Sequence, residues 1–246
     1  MKESKKPILS INRVSRFYRK DRPAVFDVSV DLFPGEFLYV AGSSGAGKST
    51  LLRLVQRIES PDTGFIRFMD HDLEKVSESS LPLVRRKMGI VHQDFKLLED
   101  SSLFDNVAFP LEVLGKKRSE IIERVGRTLE WVGLGNRENE IVHGLSGGEK
   151  QRAGIARAMV HSPLLLLADE PTGNLDAVLA DEMMDLFERA SSEGTAVILA
   201  THDRLLMASR PHRALVLNNG RVVGLSPAVS SGGSLKTVDE NFGPAA

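Results

Sequence analysis

The stretch Gly42-Ser43-Ser44-Gly45-Ala46-Gly47-Lys48-Ser49-Thr50 constrains the chain more than any other. It follows the apolar run Phe37-Leu38-Tyr39-Val40-Ala41 and precedes Leu51-Leu52-Arg53-Leu54-Val55, which predicts a strand, a glycine-rich loop and a helix. That helix is expected to carry Leu51, Leu52, Val55 and Ile58 on its apolar stripe. Small residues in such a loop let backbone N–H groups close around phosphate oxygens at the positive end of the helix. The pattern G-x-x-x-x-G-K-[ST] adds a point charge at Lys48 and a hydroxyl suited to Mg2+ at Ser49. A plain glycine-rich helix cap is the alternative; the strand leading in and the helix leading out favour phosphate binding.

With 246 residues, 41% of them hydrophobic, the chain can bury one substantial core, divided at most into two lobes. Lys and Arg (32) nearly cancel Asp and Glu (33), so no overall field recommends nucleic acid or an anionic membrane as partner. There is no cysteine, which excludes disulfides and thiolate metal sites. The start, Met1 to Pro7, has charge with no apolar block behind it and does not resemble a secretory signal. The longest aliphatic run, Leu164 to Leu167, falls far short of the roughly 20 residues that span a bilayer as a helix. A soluble chain is expected, one still able to dock on a membrane protein.

Upstream of the loop, Ile8 to Phe33 alternates apolar and polar positions, with Asp21-Arg22-Pro23 as punctuation, which predicts a small antiparallel sheet with one buried face. Tyr18 stands there among Arg13, Arg16, Arg19 and Lys20, either as a surface aromatic or as a platform on which a base stacks. Downstream, Ser60 to Gly64 turns into a strand over Phe65 to Phe68, and His71 falls in a solvated loop. Leu81 to Lys87 is a short helical piece, and Met88 to Asp94 is a strand that delivers Gln93 to a loop. From Phe95 to Gly144 the period becomes helical. Ile121, Val125, Leu129 and Val132 share a stripe, Ser119 can cap that helix, and Gly133 can end it. Trp131 with Phe104, Phe109 and Leu111 supplies an apolar cluster, so this section is expected to be a helical lobe inserted into an α/β core.

Leu145-Ser146-Gly147-Gly148-Glu149-Lys150-Gln151-Arg152 then enters another helix. Ser146 and Glu149 fit a capping box, but capping leaves two consecutive glycines unexplained. Paired glycines at a helix N-terminus make a second anion site, so the chain carries two half-sites for phosphate. The run Leu164 to Ala168 predicts a central parallel strand, ending at Asp169 and Glu170. Two carboxylates there could be a helix cap and a solvated acid. Beside a phosphate loop, Asp169 can hold Mg2+ through its water shell and Glu170 can orient an attacking water. Pro171 to Asp176 turns into a helix with Leu179, Met183, Leu186 and Ala190 inward, the methionines serving as packing. Thr195 to Ala200 is a last core strand leading to His202, which is either structural or a contact for a terminal phosphate. Leu215 to Val223 is a hairpin turning at Asn219-Gly220. Beyond Leu225 the composition shifts to Ser, Gly, Pro and Ala, a tail expected to be mobile.

In order and spacing, these motifs resemble the ATP-binding cassette (ABC) ATPase family from about Ile8 to Gly224. The phosphate loop, the Gln93 loop, the Leu145-to-Arg152 signature, the strand ending in Asp169-Glu170, the Asn174-Leu175-Asp176 turn and His202 carry the resemblance. It implies an α/β fold with a RecA-like, mostly parallel core sheet, an N-terminal antiparallel β subdomain and an inserted α-helical subdomain. It also implies an ATPase whose nucleotide lies between two copies of the chain, which accounts for the two half-sites. Ser146, Gly147, Gly148 and Gln151 would complete a neighbour's site, with Asp176 a contact across the homodimer. By the same resemblance, Tyr18 stacks on adenine, and Gly42, Ser43, Ser44, Gly45, Ala46, Gly47, Lys48, Ser49, Thr50 and Gln93 bind ATP. Ser49, Gln93 and Asp169 would surround Mg2+, Glu170 would be the general base, and His202 the γ-phosphate sensor.

Within the family, His92 to Leu98 together with Phe104 to Gly115 looks like the bacterial cell-division branch. That likeness implies an integral membrane partner and an ATPase on the cytoplasmic face of the membrane, while the balanced charge speaks against a nucleic-acid partner. The lipoprotein-releasing or macrolide-exporting branch shares the Thr172-to-Asp176 style of turn and stays open at this point, as does an ATP-gated scaffold. A DNA-associated ATPase is disfavoured by the short insert and the balanced charge.

Overall fold

The computed structural model describes residues 6–19, 22–173 and 175–226. In chain order its elements are β1 (Leu9–Arg19), β2 (Arg22–Leu32), β3 (Phe37–Ala41), α1 (Lys48–Val55), β4 (Thr63–Phe68), β5 (His71–Asp72), α2 (Leu81–Arg85), β6 (Met88–Val91), α3 (Leu103–Val113), α4 (Arg118–Trp131), α5 (Gly147–Met159), β7 (Leu165–Asp169), α6 (Ala177–Ser192), β8 (Ala196–Thr201), α7 (Arg204–Ser209), β9 (Arg213–Asn218) and β10 (Arg221–Leu225). They form two compact units. One comprises Met1–Phe33, Phe37–Val76 and Ile198–Ala246; the other comprises Pro34–Glu36 and Ser77–Val197.

In the first unit, β1 and β2 pair antiparallel, with Leu9 opposite Leu32 and Ile11 opposite Val30. Residues Arg13 and Asp27 adopt positive φ, 46° and 50°, where the register shifts, so the ribbon curls. The hydroxyls of Ser29 and Ser15 accept from the Arg13 and Asp27 amides and satisfy the donors that the bulges release. On the other side of β2, β10 joins in parallel; β9 pairs antiparallel with β10, and β3 runs parallel to β9. The strand order is therefore β5-β4-β1-β2-β10-β9-β3. The expected hairpin turn has Asn219 at φ 48° and Gly220 at φ 77°, as a tight two-residue turn with right-handed strand twist requires. All five residues of β3 are buried, which fits a strand covered on both faces.

Two expectations need correction in this unit. Ile58 is 59% exposed, because α1 stops at Val55 and Arg57 turns left-handed at φ 56°. His71 lies in a two-residue strand opposite Phe68 and not in a loop, although it stays exposed.

The second unit has β6 and β7 in parallel register from Met88 opposite Leu165 to Val91 opposite Ala168. Helices α3 and α4 pack on α5 and on each other. Their buried rows are Leu103, Val107 and Leu111 on α3, and Ile121, Val125 and Leu129 on α4, the spacing of one helix face. The Phe95-to-Gly144 lobe expected from the sequence falls wholly inside this unit. Phe109 is not part of its cluster: it is 52% exposed, since Val107 and Leu111 of the buried row lie two residues to either side of it and Phe109 faces away from them. Ser119 does not cap α4 either. The helix starts at Arg118 with Lys117 in the cap position, which leaves Ser119 inside the first turn. Gly133, at φ 75°, does follow the helix end. No helix among the described residues is long and apolar enough to cross a membrane. Asn174 and most of the expected tail, residues 227–246, lie outside the described residues.

Candidate active site

In the first unit, the buried strand β3 leads directly into Gly42, and the loop closes at Gly47 before α1. A Cβ on Gly42 would sit 2.4 Å from the Leu217 carbonyl oxygen, and one on Gly47 2.2 Å from that of Ala24. Gly47 also has φ 108°, so glycine is required there on both counts. Helix α1 has no side-chain cap and no acid in its first turn, which leaves its N-terminal amides for an anion. Lys48 is 4% exposed, and its ammonium donates to the carbonyls of Gly42 (2.8 Å) and Ser43 (3.1 Å). The cation is thereby held inside the loop's curve, while Ser43, Ser44, Gly45 and Ser49 remain exposed and Thr50 is half-buried.

The hairpin turn supports this loop, because the Gly220 amide donates to the Ala46 carbonyl at 3.0 Å and the Gly220 carbonyl accepts from Phe26 at 2.7 Å. Sequence reasoning did not foresee that support; its only trace was the Asn219-Gly220 turn. His202 and the loop residues Gly42, Ser43 and Ser44 line one cavity of about 530 Å3. The turn that carries His202 is fixed by Thr201 Oγ1, which accepts from the Asp203 amide, and by the Asp203 carboxylate, which caps α7. Of the residues expected to act together, the structure brings these close. Tyr18, on β1, is 55% exposed, and its hydroxyl lies 3.4 Å from Thr50 Oγ1 at the start of α1.

The second unit holds the carboxylates. Asp169 ends β7, and its Oδ1 is buried with no hydrogen-bond partner among the described residues. Such an oxygen is costly unless something outside the chain satisfies it. Glu170 follows at φ 47°, and the Gly173 amide donates back to its carbonyl at 3.2 Å. A Cβ on Gly173 would lie 3.7 Å from both Gln93 Nε2 and Glu170 Oε2, so the amide and the carboxylate converge on the same bare backbone. Asp176 caps α6, accepting from the Leu179 amide at 2.9 Å. Among the described residues no three His, Asp or Glu side chains form a metal cluster. A divalent cation here would complete its shell with phosphate oxygens and water, as Mg2+ does.

The Gln93 loop is strained. Phe95 and Lys96 both adopt positive φ, 58° and 50°, and Arg157 of α5 donates to their carbonyls at 2.7 and 2.6 Å. Buried Asn106 grips the loop further along, accepting from the Leu98 amide and donating to the Leu98 and Ser102 carbonyls. Burial lowers the pKa of His92 at the loop's start, with nearby Asp94 opposing. Arg157 and Asn106 were missed from sequence; an arginine within the buried run Ala153 to Ala158 was the available signal. Lys96→Gly is expected to stabilise the chain by about 1 kcal/mol, because glycine enters the left-handed region without the Cβ clash. An unchanged urea midpoint would count against strain at this position.

At the start of α5, Ser146 and Glu149 form the expected capping box: Ser146 Oγ accepts from the Glu149 amide at 3.4 Å and Glu149 accepts from the Ser146 amide at 2.8 Å. Arg137 binds Glu149 and Glu140 together. Its guanidinium, with the Ser146 donors, pulls the Glu149 carboxyl down from 4.5 to about 2. A depressed acid contributes stability that is present above 4.5 and lost as the pH falls through about 2. Arg137→Leu is therefore expected to lower stability at neutral pH and to flatten its dependence across that interval; parallel curves for the two proteins would refute the coupling.

Gly147 is exposed and a Cβ there would meet nothing within 4 Å, whereas one on Gly148 would meet Leu179 at 3.1 Å. A side chain at 148 would press on the Leu179 side chain, whereas one at 147 would enter open space. Gln151 departs from expectation. It is fully buried, and neither amide atom has a hydrogen-bond partner among the described residues, so its side chain does not face a neighbouring copy.

A glycine-rich phosphate loop and a strand ending in paired carboxylates now stand beside a direct comparison: the family model described as ABC transporter matches residues 25–173. The chain belongs to the ABC transporter family, as an ATPase. Among the relatives of this ABC ATPase is the cell division ATP-binding protein FtsE of Mycobacterium tuberculosis, 43% identical over 217 residues, covering 88% of this chain and 94% of that protein. FtsE of Escherichia coli K12 is also 43% identical, over 88% of this chain and 98% of its own. Among solved structures, cbiO1 from Clostridium perfringens, part of the ABC transporter complex cbiONQ, is 30% identical with a TM-score of 0.83, covering 89% of this chain and 88% of that one. The ATP-binding cassette MJ0796, a post-hydrolysis dimer bound to ADP and phosphate, is 30% identical with a TM-score of 0.78, covering 89% and 97%. The ABC ATPase fold expected from the sequence is thus the observed one, with mixed parallel and antiparallel strands and helices.

Proposed function

We propose that this ABC ATPase drives an integral membrane partner in bacterial cell division, in the role of the FtsE proteins. The observation that carries this reading is 43% identity to proteins of that name across 88% of the chain. Leu98, Phe109 and Val113, exposed at 49, 52 and 58%, lie in the segment that resembles the cell-division branch. Phe109 and Val113 are one helical turn apart on α3, an apolar strip suited to a protein partner. The partner is FtsX-like, the chain sits peripherally on the cytoplasmic face of the membrane, and no nucleic acid is involved.

Two copies of the chain associate around ATP. Tyr18 supports adenine, and the amides from Gly42 to Thr50 with Lys48 grip the phosphates. Ser49, Gln93 and Asp169 are the residues to hold Mg2+; the orphaned Asp169 oxygen suits a water of its shell. When bound, the ion neutralises charge on the phosphate oxygens during transfer. Glu170 takes the proton of the attacking water, and His202 contacts the γ-phosphate. Ser146, Gly147 and the α5 N-terminus close the site from the other copy, Asp176 lies at that junction, and hydrolysis removes the ligand that joins the two. Purifying the chain from detergent-extracted membranes is expected to recover an FtsX-like protein. Recovery of a lipoprotein-release permease in its place would overturn the cell-division role.

A further inference from the structure

Tyr18 is restrained far more than an exposed tyrosine needs to be. Its hydroxyl donates to Glu59, both of whose oxygens lie 2.7 Å away. Glu59 follows the end of α1, and its side chain is only 16% exposed. It is itself held from two directions: Arg16 Nε of β1 lies 3.3 Å away, and Arg53 Nη1 of α1 3.5 Å away. Arg16 also reaches Asp62 at 3.1 Å, while Asp62 accepts from the Phe17 amide at 2.7 Å. The Arg16 guanidinium carbon stands 5.6 Å from the centroid of the Tyr18 ring, a cation set against its π system. The tip of the ring is therefore clamped and its exposure is left for a planar ligand.

We infer that Glu59 is a positioning residue for nucleotide binding: its carboxylate, oriented by Arg16 and Arg53, fixes the Tyr18 ring relative to the phosphate loop. The device ties the base platform on β1 to the helix that begins at the loop, so that base contact and phosphate grip are presented at one spacing. A tyrosine without the clamp would lose rotamer freedom on each binding event, and pre-ordering removes that cost. Charge-assisted hydrogen bonds of this length are the strong kind, which suits the task. The inference rests on the reading that Tyr18 stacks on adenine.

The test uses the full chain with Mg2+ and two ligands, ATP and inorganic tripolyphosphate, the second lacking a base. Glu59→Ala and Tyr18→Phe are each expected to weaken ATP about 5- to 10-fold, with little further loss when combined, and to leave tripolyphosphate affinity within about twofold. Glu59→Gln keeps an acceptor for the Tyr18 hydroxyl and should recover most of the loss. Equal weakening of both ligands by Glu59→Ala would assign the residue to the fold of α1 and overturn the inference. So would unchanged ATP affinity in Glu59→Ala while Tyr18→Ala weakens it. If Tyr18→Ala itself leaves ATP affinity intact, the stacking reading falls and takes the inference with it. Should Glu59→Ala fail to fold, Tyr18→Phe carries the same test, because it removes only the hydroxyl.

Discussion

Glu170→Gln is expected to leave ATP affinity within about twofold of the parent and to lower turnover by roughly 10²- to 10⁴-fold, the range contributed by a positioned general base. The substitution is close to isosteric, so the left-handed turn at φ 47° and the hydrogen bond from the Gly173 amide to the residue 170 carbonyl should survive it. On the proposed role of Glu170, what is lost is the ability of the side chain to take a proton from water, while the Gln93 amide, which approaches the same bare backbone at Gly173, is left in place. ATP then persists, and the nucleotide-joined pair should accumulate. Lys48→Ala acts at the other end of the cycle, by removing the buried ammonium that the Gly42 and Ser43 carbonyls hold in the loop. Its expected effect is weak nucleotide binding with no accumulated pair. Phosphate release, ATP titration and sedimentation with ATP separate the two variants. Similar loss of ATP affinity in both would contradict the separate roles.

What could be read from sequence was whatever depends on local pattern. The strand, loop and helix around Gly42 to Thr50, the capping box at Ser146, the hairpin at Asn219-Gly220 and the parallel strand ending at Asp169 all have signals within a few residues. Where reasoning failed, the deciding contact came from far along the chain. Arg157 reaches Phe95 and Lys96 across about sixty residues, and Gly220 supports Ala46 from the opposite end of the sequence. Helix ends were the other weak point: Ile58 lost its burial because Arg57 left the helix, which no stripe of apolar residues reveals. Gln151 shows the limit of carrying over a motif as a block. Four residues of one signature looked alike in sequence, yet Ser146 and Gly147 are exposed and Gln151 is buried.

That difference selects the variants for the second large effect, the dependence of one copy's site on the other. Gly148 is a poor probe, because a side chain there must displace Leu179, whose nearest methyl would lie 3.1 Å from the new Cβ, and so mixes packing with function. Gly147 has no neighbour within 4 Å of a Cβ, so Gly147→Val should fold with an unchanged melting temperature and bind ATP in its own loop. If bare backbone at Gly147 is needed for another copy's phosphates, that variant should nonetheless fail to pair in ATP. Lys48→Ala should also fail, for the opposite reason: its signature is intact and its loop is not. A mixture of the two can build one complete site, from the loop of the Gly147→Val copy and the α5 N-terminus of the Lys48→Ala copy. ATP-dependent heterodimers are therefore expected in the mixture, at least tenfold above either variant alone, if pairing follows site occupancy. The chain carrying both substitutions, mixed with either single variant, supplies the control. It restores no complete site, so pairing there, or none in the original mixture, would mean that the two half-sites do not meet between chains.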